Sequence, residues 1–319
     1  MKVAPTPAAF ESSPLLRNRM LILGMGYVGQ FLGTDLKNKG WVVTGTCTTT
    51  KKHKQLSHLG FDAHVFHANQ PEVEVLDILK HHTHLLISIP PVVGVGDPIL
   101  QNREDLQNEL RGGDLRWLGY LSSTSVYGDS GGSWLDEDYP VNPGNESGKA
   151  RVTAEREWLK FGHDLQIAAQ VFRLGGIYGP GRSAIDTIIR QEPLSKKQKI
   201  RSFKQYTSRI HVSDICQALN ASIDRPFQGG TYNLVDDNPA PRSEVFEFAQ
   251  SLVRKKWPGL KEQMAIVEEA DLVAVEGPRA EKRVSNTRMK KELGVRLIHP
   301  SYISGLQSII DQIDEPFAK

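Results

Sequence analysis

The sequence predicts an α/β protein: a doubly wound parallel sheet followed by a smaller C-terminal unit. Three observations predict it. Short apolar, β-like runs alternate with stretches of helical spacing from Met20 to Tyr178, the pattern of a parallel sheet covered by helices on both faces. A glycine-rich turn, Gly24-Met25-Gly26-Tyr27-Val28-Gly29, joins the first such run to the first helical stretch. The alternation stops at Gly175-Gly176-Ile177-Tyr178-Gly179-Pro180-Gly181, which is too rich in turn residues to continue an element.

Element by element, strands are expected at Met20–Leu23, Trp41–Thr46, His84–Ile89, Leu115–Leu121 and Ile167–Leu174. Helices are expected between them, at Val28–Lys39, Val73–Lys80, Pro98–Leu110 and Lys149–Phe161. In the first of these Val28, Phe31, Leu32 and Leu36 share one face, and Gly40 supplies the stop. Beyond Gly181 the pattern gives helices over Ser213–Ile223, Arg242–Arg254 and Ser285–Leu293, and a strand over Thr231–Val235. Three units follow: a disordered leader over 1–14, a dinucleotide-binding unit over 15–180, and a substrate or cap domain over 181–319. Residues 230–236 are expected to return to the main sheet.

Composition bounds the function. The 319 residues are 39% hydrophobic and 24% charged, with a formal net charge of +2. That is ordinary globular material with no global attraction to nucleic acid or to a membrane surface. Apolar runs such as Leu85–Ile89 are far too short to span a bilayer. Two cysteines, Cys47 and Cys216, form no disulfide framework and suit a reducing compartment. The Pro/Ala/Ser-rich segment Met1–Pro14 has no hydrophobic signal core. A cytoplasmic location follows, or an organelle stroma such as the plastid's if the segment is the stub of a transit sequence. The expected partner is a small-molecule substrate, and the expected assembly a monomer or homodimer.

The glycine turn carries most of the functional information. It follows a strand and opens a helix, the setting in which G-x-G-x-x-G signals a Rossmann dinucleotide site. Gly24 allows the tight turn, Gly26 lets pyrophosphate approach the backbone, and Gly29 lets the helix lie close to the sheet. Met25, Tyr27 and Val28 complete the loop, whose helix N-terminus points unpaired N–H groups at phosphate. About 20 residues further on, NAD sites place an acid on the ribose 2′-hydroxyl. Here the stretch reads Thr46-Cys47-Thr48-Thr49-Thr50-Lys51-Lys52. Hydroxyls and lysines there, Thr46, Thr48 and Lys51 above all, favour a 2′-phosphate and so NADP over NAD.

Ser122-Ser123-Thr124-Ser125-Val126-Tyr127-Gly128, Arg173 to Gly181, and Arg209-Ile210-His211-Val212-Ser213-Asp214 together resemble the extended short-chain dehydrogenase/reductase superfamily. That group comprises nucleotide-sugar epimerases, dehydratases and many carbonyl reductases. The Ser88-Ile89-Pro90-Pro91 turn and Lys282-Arg283-Val284-Ser285-Asn286 look closer to an atypical, YeeZ-like NAD(P)-binding subgroup. The resemblance implies that Ile89, Pro90, Gly176 and Ile177 help to hold the cofactor. It also implies a hydroxyl that polarises the substrate oxygen, for which Ser123 matches.

The superfamily's Tyr and Lys, four residues apart on one helix face, have no match. Ser147 and Arg151 stand there in one register, Asn145 and Lys149 in the other. A serine is a far poorer proton donor than a phenol, and Arg keeps its proton, although Arg151 can fix ribose or phosphate. The proton source then passes to Tyr127, Tyr178, water or the substrate.

The basic stretch Leu194–Ser213 reads first as a solvated loop, with attraction of an anionic substrate as the alternative. His64, His67, His81, His82 and His84 lack companions at metal-ligand spacing and read as structural. His211 and Asp214 read as caps of the helix after Val212. Three functions stand: an NADP-dependent oxidoreductase on a small carbonyl or alcohol, a non-redox isomerase, lyase or cyclase, and a dinucleotide sensor without turnover.

Overall fold

The computed structural model describes residues 18–67, 78–190, 205–226, 229–262 and 281–316. The leader, most of the helix expected at Val73–Lys80 and the lysine-rich part of Leu194–Ser213 lie outside them.

The first half of the chain builds β1 (Arg19–Leu23), α1 (Tyr27–Asn38), β2 (Val42–Cys47), α2 (Thr50–His58), β3 (Asp62–Val65), β4 (His84–Ile87) and α3 (Arg103–Leu110). Next come β5 (Trp117–Ser123), β6 (Trp134–Leu135), α4 (Glu146–Leu165), β7 (Ala168–Leu174), β8 (Gly176–Tyr178) and α5 (Ala184–Arg190). The remainder builds β9 (Arg209–His211), α6 (Val212–Asp224), β10 (Gly230–Leu234), α7 (Arg242–Lys256), β11 (Arg283–Val284), α8 (Thr287–Glu292) and α9 (Tyr302–Asp311).

Among the described residues seven strands form one parallel sheet, ordered β10-β7-β5-β4-β1-β2-β3. The chain starts in the interior, works outward to β3, then crosses back to β4 and works outward to β10. The order therefore reverses between β1 and β4, and in open α/β sheets the crevice at that point takes ligands. Both faces are apolar. Met20, Ile22, Leu32 and Leu36 pack on one side, and Leu21, Leu23, Trp158 and Phe161 on the other. Alternating side chains of β1 thus enter opposite cores, as a strand buried on both faces requires.

β10 pairs in register with β7, Gly230 opposite Gln170 and Leu234 opposite Leu174, so 230–234 does extend the sheet. A separate apolar cluster joins α5, α7 and α9 through Ile185, Val245, Ala249, Leu306 and Ile309. It stands over the carboxyl end of the sheet on the β7 side.

Two departures from the sequence pattern have a plain physical reason. α2 buries only Leu56, so it shows no apolar periodicity and reads as a basic loop. The run expected at Leu115–Leu121 lies two residues later, because Ser122 and Ser123 continue the pairing, opposite Arg173 and Leu174, despite their hydroxyls.

Candidate active site

Because the strands are parallel and in register, their carboxyl ends line one edge. Gly24 follows β1, Ser88 follows β4, Ser123 ends β5, and Gly175 follows β7. The expected site residues gather there.

The glycine turn is built from both sides. Gly24 holds φ +90°, a left-handed value that a side chain would strain. A Cβ on it would lie 3.0 Å from Ile89 Cγ1, so the β1 and β4 loops touch across the switch point. The Gly24 N–H donates to Thr46 Oγ1 (2.9 Å) and the Met25 N–H to the Thr46 carbonyl (2.7 Å). Gly26 is the N-cap of α1, whose first turn has no side-chain cap and no acid. It is exposed, and a Cβ there would meet nothing nearer than the Gly24 carbonyl oxygen at 3.9 Å. Gly29 is different: its Cβ would come within 3.0 Å of Ile22 Cγ2, so this glycine lets α1 lie on β1. Met25 and Val28 are buried beneath the turn and support it from below. The result is an open, uncapped helix N-terminus at the switch point, which fits a pyrophosphate.

At the end of β2 the expectations divide. Thr46 is buried and its hydroxyl is the strut of the glycine turn; it faces the fold and not a ligand, which corrects its place among the cofactor contacts. Thr48 and Lys51 are exposed, Thr49 caps α2 by accepting from the Lys52 N–H (3.2 Å), and the first turn of α2 holds no acid. Pro90 is exposed and Ile89 half-buried beside the turn.

Ser123 Oγ accepts from the Ser125 N–H at 3.1 Å, which leaves its proton free to donate. On α4, Asn145 is the N-cap and accepts from the Gly148 N–H at 2.8 Å, and Lys149 pairs with Glu146. That disposes of the Asn145–Lys149 register. Ser147 is exposed in the first turn, and Arg151 Nη1 donates to the Leu121 carbonyl at 3.4 Å, beside the end of β5.

Tyr127 is fully buried. Its hydroxyl donates to Asn233 Oδ1 (2.8 Å) and accepts from Arg173 Nη1 (2.9 Å), and burial pushes the phenol above its usual range. Both capacities of the hydroxyl are spent inside the fold, so the proton-donor expectation does not hold for Tyr127. Arg173 in turn grips Glu155 through Nε and Nη2, and Ser122 donates to the same carboxylate.

Gly176, Ile177 and Tyr178 line a cavity of about 470 Å³ between the β7–β8 turn, α5, β9 and α9. Gly176 and Ile177 thus face this cavity, beside the turn after β7. The Tyr178 hydroxyl donates to the Ser301 carbonyl at 3.3 Å, and burial, with Asp236 nearby, raises its pKa. Sequence reasoning missed Arg182 and Arg242 in this lining, since nothing in their spacing distinguishes them from solvated charge, and met Arg209 only as part of the basic stretch and of the Arg209–Asp214 motif. Tyr27 was placed in the turn, but its reach was not seen: its hydroxyl donates to the Pro180 carbonyl at 3.0 Å.

Of the histidines, His82 and His211 are tied into the fold, whereas His67 and His81 are exposed. His82 contacts the Ile78 carbonyl (2.6 Å) and Thr44 Oγ1 (3.0 Å). His211 caps α6 through the Ser213 N–H, and Asp214 accepts from the Ile298 and His299 N–H groups. Among the described residues there is no cluster of metal-ligating side chains, and no helix is long and apolar enough to cross a membrane.

The model of the NAD-dependent epimerase/dehydratase family matches residues 104–235. The protein YeeZ of Escherichia coli is 28% identical over 223 residues, 68% of this chain and 77% of its own. A conserved protein of unknown function from Silicibacter pomeroyi DSS superposes with a TM-score of 0.74 at 33% identity, covering 93% of this chain and all of that one. Residues 104–235 thus resemble the NAD-dependent epimerase/dehydratase family, and nearly the whole chain shares the fold of the Silicibacter pomeroyi protein. A UDP-glucuronic acid 4-epimerase from Bacillus cereus, solved in complex with NAD, shares the family's fold: TM-score 0.69, 16% identity, 92% of this chain and 96% of its own. Against the pattern of the extended short-chain dehydrogenase/reductase fold that it resembles, this chain has the G-x-G-x-x-G turn after β1 and a serine at the end of β5, and Ser147 and Arg151 in the first turns of α4.

Proposed function

We propose that the protein binds NADP at the β1–α1 turn and acts as an oxidoreductase on a small carbonyl or alcohol compound held in the neighbouring cavity. The observation that carries this reading is the uncapped, acid-free N-terminus of α1, open at Gly26, on the same sheet edge as Ser123 and the cavity. The preference for NADP rests on the start of α2. Thr48 and Lys51 are exposed there and no carboxylate stands in its first turn, so a 2′-phosphate meets donors and no repulsion. The NAD bound by the epimerase from Bacillus cereus makes NAD the competing ligand in any test.

The chain's own groups then have distinct tasks. Gly24 to Gly29 hold the pyrophosphate on backbone N–H groups, and Ile89 and Pro90 flank it. Arg151, at the end of β5, takes a ribose hydroxyl or phosphate oxygen. Bound NADPH supplies hydride. Ser123 donates a hydrogen bond to the substrate oxygen and polarises it. The proton that completes an alcohol comes from water through Ser123, since Tyr127 is spent inside the fold and burial makes Tyr178 a weak donor.

One observation favours a second reading, a non-redox isomerase, lyase or cyclase that keeps the dinucleotide: an exposed serine stands where the proton-donating phenol belongs. Titration with NADP and NAD, followed by NADPH absorbance across a panel of small carbonyl compounds, tests both. Substrate-dependent loss of absorbance supports the oxidoreductase. Tight NADP binding with product formed at constant absorbance supports the second reading and removes the first.

A further inference from the structure

The cavity beside the dinucleotide turn is unbalanced in charge. Among the described residues Arg182, Arg190, Arg209 and Arg242 line it, against the single carboxylate Asp186, which already accepts from the Ser183 hydroxyl. Arg182, Arg190 and Arg209 make no ion pair with a carboxylate among the described residues. Arg209 is 8% exposed. Its donors go to neutral oxygens: the Ala240 carbonyl (2.7 Å), the Asn238 carbonyl (3.3 Å) and the Thr207 hydroxyl. Asp236, the acid whose charge would favour it most, makes no hydrogen bond to it, and burial pushes that carboxyl well above the usual carboxylate range, which weakens the compensation. A buried guanidinium is expensive unless an anion compensates it. Here the fold leaves that role open.

Arg182 is placed by the dinucleotide turn itself. Its guanidinium lies over the Tyr27 ring, 5.3 Å from the centroid, and Tyr27 is tied to the Pro180 carbonyl two residues before Arg182. The fit is close: a Cβ on Gly179 would stand 2.5 Å from the Tyr27 hydroxyl oxygen. Stacking fixes a guanidinium plane and leaves its in-plane donors for a second partner. Arg190 adds a donor from the last turn of α5, where Nη2 already meets the Gly181 carbonyl at 3.3 Å.

We propose that Arg182, set by Tyr27, is an anion-holding residue of this cavity, and that the cavity takes a small substrate bearing a phosphate or carboxylate group. The assignment rests on the reading of the cavity as the substrate's place beside the dinucleotide. Tyr27 acts as a positioning residue: it belongs to the glycine turn in sequence and serves the substrate through Arg182. A volume of about 470 Å³ lies in the lower half of the range for small-molecule sites, which suits a compact anionic carbonyl compound.

The test is calorimetric titration of the full chain with inorganic phosphate, glycerol 3-phosphate and succinate, each with NADP present, and with NADP alone. Arg182→Gln is expected to weaken binding of the anions about tenfold or more, the worth of a charge-assisted contact, with NADP affinity unchanged. Arg182→Lys recovers part of the loss. Tyr27→Phe keeps the ring but not the tie to Pro180; it is expected to weaken the anions more than it weakens NADP, whereas a purely structural role in the turn would weaken NADP first. Phosphate-bearing probes binding and succinate failing, or the reverse, identifies the group. Binding of all three probes that is absent in the parent protein, or unchanged in Arg182→Gln, overturns the proposal. Failure of NADP to bind, with the anion results as expected, would count against the dinucleotide reading and leave the anion site standing.

Discussion

Gly26 and Gly29 occupy one motif, yet the structure gives them opposite tasks, and substituting them should separate binding from stability. Gly26 has φ −81° as the N-cap of α1, open space on its Cβ side and no structural need to be glycine. Aspartate is among the best N-caps, a few tenths of a kcal/mol better than glycine, and its charge adds about 0.3–1 kcal/mol against the helix dipole. Gly26→Asp should therefore stabilise the free protein by roughly 0.5–1 kcal/mol, a rise of about 1–3 °C in Tm. The same carboxylate would face two phosphate charges at about 5 Å, a repulsion of roughly 1–3 kcal/mol for each charge. NADP affinity should fall by about a hundredfold or more. Gly26→Ala, without the charge, should leave stability within about 0.5 kcal/mol of the parent and still weaken NADP. Gly29→Ala should do the reverse: its Cβ at 3.0 Å from Ile22 Cγ2 and 3.3 Å from the Gly24 carbonyl forces α1 off the sheet. Overpacking of this kind costs about 1–3 kcal/mol, against roughly 1 kcal/mol gained in helix propensity. Thermal unfolding without ligand, then calorimetry with NADP, reads both quantities. Unchanged NADP affinity in Gly26→Asp would refute the assignment of the turn, and a large loss of Tm would refute the view that Gly26 is structurally free.

Other consequences are as concrete. Lys51→Glu should cost about tenfold or more in NADP affinity and little in NAD affinity; equal parental affinities for the two would remove the basis for NADP. Ser123→Ala should cut turnover strongly, whereas Ser147→Tyr combined with Arg151→Lys, which restores the superfamily pair, should raise carbonyl reduction measured by NADPH absorbance. Glu155→Ala strands Arg173, 7% exposed, as an uncompensated buried cation and should destabilise by about 3–5 kcal/mol, read as a shift in denaturant midpoint. Asp236 gives a pH effect of defined sign. Its carboxyl rises from the ordinary 3.8 to about 8 on folding, so between those values the native state holds a proton that the unfolded chain has released. Its contribution falls as pH rises through that window, and Asp236→Asn should flatten the decline in Tm between about pH 4 and about 8.

The sheet was legible because its strands are apolar on both faces and its first turn carries glycines at a spacing that physics restricts. α2 was not, because a helix that buries one leucine leaves no periodic signal. β3, four residues with a single buried Ala63, is equally silent and exists through its pairing with β2. In the site, the glycines and Ser123 could be read from local context. The burial of Tyr127 could not: the hydroxyl's partners, Arg173 and Asn233, lie 46 and 106 residues away in sequence. Thr46 misled for a related reason. A threonine at the end of β2 looks the same in sequence whether it turns towards a ligand or, as here, back to the Gly24 N–H.

The same network fixes the place of α4, the helix on which the superfamily's Tyr and Lys would stand. Ser147, Arg151 and Glu155 are spaced four residues apart, so they stack along one face of α4. Glu155, at the inner end, is 3% exposed and clamped by Arg173 of β7 and Ser122 of β5. One turn nearer the mouth, Arg151 reaches the Leu121 carbonyl. One turn further still, Ser147 is exposed. The buried ion pair therefore sets the height and rotation of α4 against the two strands whose ends carry Ser123 and Gly175. Ser122 and Ser123 alternate faces on β5: Ser122 is committed to the clamp, and Ser123 stands on the opposite face at the strand's end. A group introduced at position 147 would thus arrive at the mouth on a helix whose placement does not depend on it. That is why restoring a phenol there tests the chemistry of the cleft and not the integrity of the fold.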